Sequence, residues 1–198
     1  RFHVERYLGL VGENFTSADM PQRLPGKVAI GHVRYSTQGA SVLRNVQPLY
    51  SDVRGGGIAL AHNGHLTNAR VLREELVANG AIFQSTSDSE VVLHLAALSR
   101  KSKLTNRLSH ALKQVEGAFA FVALVNDRLI AARDPHGIRP LVMGQLGDAV
   151  VFASETTALD MVGATYTRDV EPGEAIILSD GEMRSERFSP ARAARPCA

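Results

Sequence analysis

The chain has 198 residues, 44% of them apolar and 21% charged, with a formal net charge of +2. That supplies one globular core, while basic residues spread along the chain and few aromatics argue against a nucleic-acid partner. No apolar run reaches the length of a membrane span, and the single cysteine, Cys197, excludes an internal disulfide framework and fits a reducing, cytoplasmic setting.

Both ends read as cut. The chain opens at Arg1 with neither a methionine nor a signal-like segment and stops at Arg195-Pro196-Cys197-Ala198, so a fragment of a longer protein is expected. Residues 1–15 carry an irregular apolar pattern that fits strand and short helix equally. After Pro21, Pro25 and Gly26, the alternation from Lys27 to Tyr35 predicts a strand that places Arg34 at the edge of a loop, Ser36-Thr37-Gln38-Gly39. Arg44 to Asp52 reads mostly as connection. Gly55-Gly56-Gly57 lacks the following lysine and helix of a phosphate loop and reads as a turn.

Gly57 to Ala61 is a short apolar run suited to a buried strand ending at Asn63-Gly64. Asn-Gly is a strong hairpin signal. A helical pattern follows instead of a second strand, so a second reading stays open: an amide side chain and a backbone N–H aimed at one developing oxyanion. Leu66 to Asn79 has the period of an amphipathic helix, with Thr67 or Asn68 as cap and Gly80 as terminator. Ser87-Asp88-Ser89-Glu90 has capping-box spacing before the apolar run 91–98, which predicts Asp88 in a first helical turn. Leu104 to Val115 repeats the helical period.

From Ala118 the pattern changes. Runs at 118–125, 129–133, 141–146 and 149–153 predict successive antiparallel strands; a short helix at 155–162 interrupts them, and strands resume at 165–168, 174–178 and 182–188. Helices grouped between strands indicate an α+β fold with two sheets. The seven histidines show no zinc-type spacing and read as packing residues or supports one step from a site.

Three stretches stand together: Gly31-His32-Val33-Arg34-Tyr35-Ser36-Thr37-Gln38-Gly39, Ala61-His62-Asn63-Gly64 and Ser87-Asp88-Ser89-Glu90. The combination resembles the glutaminase domain of class II glutamine amidotransferases. That resemblance implies a four-layer α/β/β/α sandwich of two antiparallel sheets, the fold of the N-terminal-nucleophile hydrolases. Within the class, Tyr35 with Gln38, Asn45-Val46-Gln47-Pro48, Asp134 to Leu141 and Gly163-Ala164-Thr165-Tyr166 look like the amidophosphoribosyltransferase family, which opens de novo purine synthesis. Glucosamine-6-phosphate synthase is the alternative; it typically shows a tryptophan and a histidine where Tyr35 and Gln38 stand.

The resemblance implies that residues 1–190 form the glutaminase domain and 191–198 begin a linker to a phosphoribosyltransferase domain. Glutamine would place its α-carboxylate on Arg34, with Thr37 as a further contact, its α-ammonium on Asp88, and its carboxamide oxygen at Asn63 and Gly64. A planar guanidinium fork suits a carboxylate, and a carboxylate suits an ammonium. The family's nucleophile is an N-terminal cysteine, and residue 1 here is Arg1, so the fragment is expected to be inactive alone. The parent would use phosphoribosyl pyrophosphate, Mg2+ and, in some members, a 4Fe-4S cluster, for which Cys197 is a candidate ligand although a lone structural thiol is its default reading. A homo-oligomer is implied for the intact enzyme. A non-catalytic glutamine-binding module and a scaffold that keeps only the fold are the other readings; a precursor cysteine would remove the first, and retention of Arg34, Asn63 and Asp88 together weighs against the second.

Overall fold

A computed structural model describes residues 1–16, 18–34, 42–179 and 181–193. Before residue 42, regular structure among the described residues is confined to two single-turn helices, α1 (Val11–Asn14) and α2 (Met20–Arg23). A 3-10 turn at Leu43–Asn45 follows, then β1 (Leu49–Val53) and β2 (Gly56–Leu66), an antiparallel hairpin closed by the glycine turn. Three helices come next: α3 (Ala69–Ala78), α4 (Glu90–Leu98) and α5 (Leu104–Leu112). Then run β3 (Gly117–Val125), β4 (Arg128–Arg133), β5 (Val142–Leu146), β6 (Ala149–Ala153), α6 (Thr156–Val162), β7 (Thr165–Asp169), β8 (Glu174–Ser179) and β9 (Glu182–Arg187).

The strands form a six-stranded sheet, β1-β2-β3-β4-β8-β9, and a three-stranded sheet, β6-β5-β7, with every pairing antiparallel. Alternation along β3 builds the layers, because successive side chains leave opposite faces of a strand. Phe119, Phe121, Ala123 and Val125 join the core beneath α3, α4 and α5, whose buried stripes include Leu76, Val91, Val92, Leu108 and Leu112. Ala120, with Val122 packed beside it, faces Leu141 and Met143 between the two sheets. Beyond the second sheet, Val142 packs on Leu159 of α6, and a Cβ at Gly144 would stand 2.9 Å from the Leu159 side chain. The order is helices, sheet, sheet, helix, which is an α+β sandwich. Each fully buried large side chain, such as Phe119 or Ile58, contributes about 1.5–3 kcal/mol relative to an exposed one.

Two buried carboxylates tie the sheets together. Asp134, with no exposure, accepts the N–H groups of His136 (2.9 Å), Ile138 (3.2 Å), Arg139 (3.1 Å) and Phe119 (3.3 Å), shaping the crossing from β4 to β5. Glu174 on β8 takes a bidentate pair of bonds from Arg168 on β7, both 2.8 Å, together with Ser185 Oγ at 2.5 Å and the Glu171 N–H at 2.7 Å. Burial pushes the Glu174 carboxyl up, but Arg168 and Ser185 outweigh it and bring the pKa down from 4.5 to about 2.

Local readings of the sequence differ from the structure in four places. Residues 27–34 pair with no strand, although their alternation is strand-like; a strand forms only where another edge takes its backbone groups. Residues 44–52 contain a 3-10 turn and most of β1 as well as connection. β2 continues through Asn63 and Gly64 to Leu66, because Gly64 and Leu66 still pair with Phe119 and Gly117. Ser87 and Glu90 form no capping box. The Ser87 hydroxyl meets Ser89 at 2.7 Å and Glu90 instead accepts the N–H groups of Gln84 and Ser85, both at 2.7 Å, so α4 starts at Glu90 and Asp88 lies in the turn before it.

Candidate active site

The end of β2 is built around Gly64. Its φ is +139°, and a Cβ there would stand 2.0 Å from the Ala118 carbonyl oxygen, so only glycine fits. The strand turns its last residues, Asn63 and Gly64 among them, to the wall of a cleft. His62, one residue earlier, is 4% exposed. Its N–H donates to Gln47 Oε1 at 2.6 Å, its carbonyl accepts from Gln47 Nε2 at 3.4 Å, and its ring stacks on Phe121 with centroids 4.5 Å apart.

Asp88 is carried to the same place by the loop before α4. Asn45 braces that loop, donating to Thr86 Oγ1 at 2.8 Å and accepting the Thr86 N–H at 3.0 Å. Arg73 also holds it, through the carbonyls of Ser85 (3.1 Å) and Ser87 (2.9 Å). One Asp88 oxygen accepts the Leu66 N–H at 2.9 Å; the other stands 3.5 Å from His62 Nδ1. Burial pushes the Asp88 carboxyl up, but His62 and the backbone N–H groups of Leu66 and Ser89 more than offset this, and its pKa is lowered.

Arg34 lies at the end of the extended run 27–34, exposed, and lines the cleft with Asn63, Gly64 and Asp88. His32 lines it too; burial, with His62 and Arg34 nearby, holds its imidazole below the ordinary range. The cleft also includes Arg139 and much of residues 1–15, and its volume of about 2870 Å³ is several times that of a usual small-ligand pocket. Its lining thus includes a guanidinium, a carboxylate and an amide beside a glycine N–H, which are the groups a zwitterionic amide needs.

Thr37 and Cys197, with Tyr35 and Gln38, lie outside the described residues. Among the described residues no three His, Cys, Asp or Glu side chains stand close enough to share a metal. No helix among them is long and apolar enough to cross a membrane. The supporting roles that sequence reasoning did not give are those of Gln47 and Asn45, which it had quoted only as a motif, of Arg73, and of the contact between His62 and Asp88. All four act across gaps in sequence, which no local period reveals.

The model of a glutamine amidotransferase domain matches residues 32–161. The chain is 51% identical over 195 residues to an amidophosphoribosyltransferase of Rhizobium etli, covering 97% of the chain and 39% of that protein. It is 48% identical over 191 residues to a chloroplastic amidophosphoribosyltransferase of Arabidopsis thaliana, covering 96% of the chain and 34% of that protein. A solved structure of glutamine phosphoribosylpyrophosphate amidotransferase from B. subtilis, in complex with ADP and GMP, superposes with a TM-score of 0.84 at 47% identity, over 91% of this chain and 39% of that one. The chain thus spans about two fifths or less of the length of these relatives. Its sandwich fold, the cleft at the end of β2 and the matched span agree: the chain belongs to the glutamine amidotransferase domain family.

Proposed function

We propose that this domain is the glutaminase part of an amidophosphoribosyltransferase, releasing ammonia from glutamine so that a phosphoribosyltransferase domain can convert phosphoribosyl pyrophosphate to phosphoribosylamine. The observation that carries this reading is 51% identity to such an enzyme across nearly the whole chain. The glutamine chemistry is supported by Arg34, Asn63, Gly64 and Asp88 lining one cleft.

In this reading the Arg34 fork holds the α-carboxylate and Asp88 the α-ammonium. The carboxamide oxygen then lies at the Asn63 amide and the Gly64 N–H. The cysteine thiolate characteristic of the class attacks the carboxamide carbon, and the C=O electron pair moves to oxygen, where those two donors receive it. Collapse expels ammonia, which takes a proton relayed by the α-amine of the cysteine; water then cleaves the thioester to glutamate. The residues lining the cleft include no cysteine, so the thiolate comes from outside them. The unpaired run 27–34 beside the cleft is a suitable seat for a strand that carries it.

The test is product analysis on the full-length protein. With phosphoribosyl pyrophosphate and glutamine, glutamate and pyrophosphate should appear in equal amounts, and ammonia should replace glutamine as nitrogen donor. Glutamine hydrolysis that depends on a hexose phosphate acceptor instead would favour a sugar-isomerising amidotransferase, and tight glutamine binding without hydrolysis would favour a sensor.

A further inference from the structure

We propose that His62 is a positioning residue for glutamine, holding the Asp88 carboxylate in the orientation that receives the substrate ammonium. The inference rests on the reading of Asp88 as the ammonium ligand. His62 cannot swing away: Phe121 lies against its ring, and Gln47 grips its backbone from both sides, at 2.6 Å and 3.4 Å. Its Nδ1 faces Asp88 Oδ1 at 3.5 Å, while Oδ2 is pinned by the Leu66 N–H at 2.9 Å.

Those two contacts, with the Ser89 N–H, hold a carboxylate that stands on a turn and not on a helix. Its remaining lone pairs can meet an incoming ammonium. His65 Nδ1 also approaches Oδ2, at 3.6 Å, but its side chain is 79% exposed and such a contact holds little in water. The buried His62 ring is the side chain that faces Oδ1.

The opposite ring nitrogen points the same way. His62 Nε2 is buried and has no hydrogen-bond partner among the described residues, and a Cβ on Gly64 would come to 3.0 Å from it. A histidine kept only for packing would gain by giving up that nitrogen, since an unsatisfied buried polar atom is costly. An imidazole whose Nδ1 faces the Asp88 carboxylate accounts for its retention. Through His62 the ammonium-binding carboxylate is also set relative to Asn63, the next residue along β2.

The experiment compares His62→Asn, His62→Gln and His62→Phe with Asp88→Ala in the full-length enzyme. Asn can place an amide nitrogen near the position of Nδ1, Gln reaches towards Nε2, and Phe keeps the stack on Phe121 without a donor. The proposal expects His62→Phe and His62→Gln to raise KM for glutamine by roughly tenfold, the scale of one lost charge-assisted contact, with kcat and ammonia-dependent synthesis little changed. His62→Asn should restore most of the affinity, and His62→Phe should add nothing further once Asp88 is Ala. If Asp88→Ala raises KM while His62→Phe and His62→Gln do not, His62 has no positioning role and the reading of Asp88 stands. If Asp88→Ala leaves KM unchanged, that reading falls and His62 has nothing to position. Should His62→Phe fail to fold, His62→Asn and His62→Gln decide: equal KM values for the two overturn the proposal.

Discussion

In the proposed reading, Asn63 acts at a different moment from Arg34 and Asp88. The two charged side chains meet charges that glutamine carries throughout, so they act on binding. A donor to the carboxamide oxygen gains most as that oxygen becomes an anion, so Asn63 acts on the barrier. Asn63→Ala in the full-length enzyme should therefore lower glutaminase kcat by ~10²–10³, about 2.7–4 kcal/mol, with a much smaller change in KM. Steady-state kinetics in glutamine checks this, and a variant that changed only KM would assign Asn63 to ground-state binding. That Arg34, Asn63, Gly64 and Asp88 are candidates is legible in the sequence because each sits in a short motif, and all four line the cleft. The role of Gln47 is not legible there, since its amide reaches the backbone of residue 62 from another strand's approach loop.

At the scale of elements, the best-read strands are those bounded by turn residues on both sides. β3, β4, β5 and β6 are joined in pairs by tight turns, and their expected limits lie within a residue of the observed ones. β1 was hidden because Tyr50, Ser51 and Asp52 are polar or half-exposed on an edge strand. The run 27–34 shows the reverse failure, a strand pattern whose pairing is not decided locally. The tie between β7 and β8 is an element-scale feature with a measurable pH signature. Glu174 has its pKa lowered from 4.5 to about 2 in the folded chain, so the stability it contributes is complete above about 4.5 and is lost as pH falls towards 2. Glu174→Gln should lower stability near neutral pH by about 3 kcal/mol, the low end for breaking a buried pair because the Arg168 side chain is 35% exposed. It should also flatten the acid limb between those pH values. Denaturant melts at several pH values test both; an unchanged acid limb would mean that Arg168 and Glu174 are not coupled to folding.

Across the whole molecule, the layers follow from one strand's alternation and the site from where the layers end. β3 sends Phe119 and Phe121 towards the helices and Ala120 towards the second sheet, and β2, paired between β1 and β3, carries its last residues to the cleft. Three other parts of the chain contribute Arg34, Asp88 and Arg139 to the lining of the same cleft. The chemical types were legible in the sequence, whereas their convergence depends on packing between distant segments. Recognition of both charged ends of glutamine by this cleft is tested most directly by KM for glutamine in Arg34→Ala and Asp88→Ala variants of the full-length enzyme, set beside their ammonia-dependent synthesis. A large rise in KM is expected for both, roughly tenfold or more for each lost charge-assisted contact, with ammonia-dependent synthesis nearly unchanged because ammonia bypasses the cleft. Equal loss of both activities would mean that Arg34 and Asp88 hold the structure together, and an unchanged KM would mean that glutamine binds elsewhere.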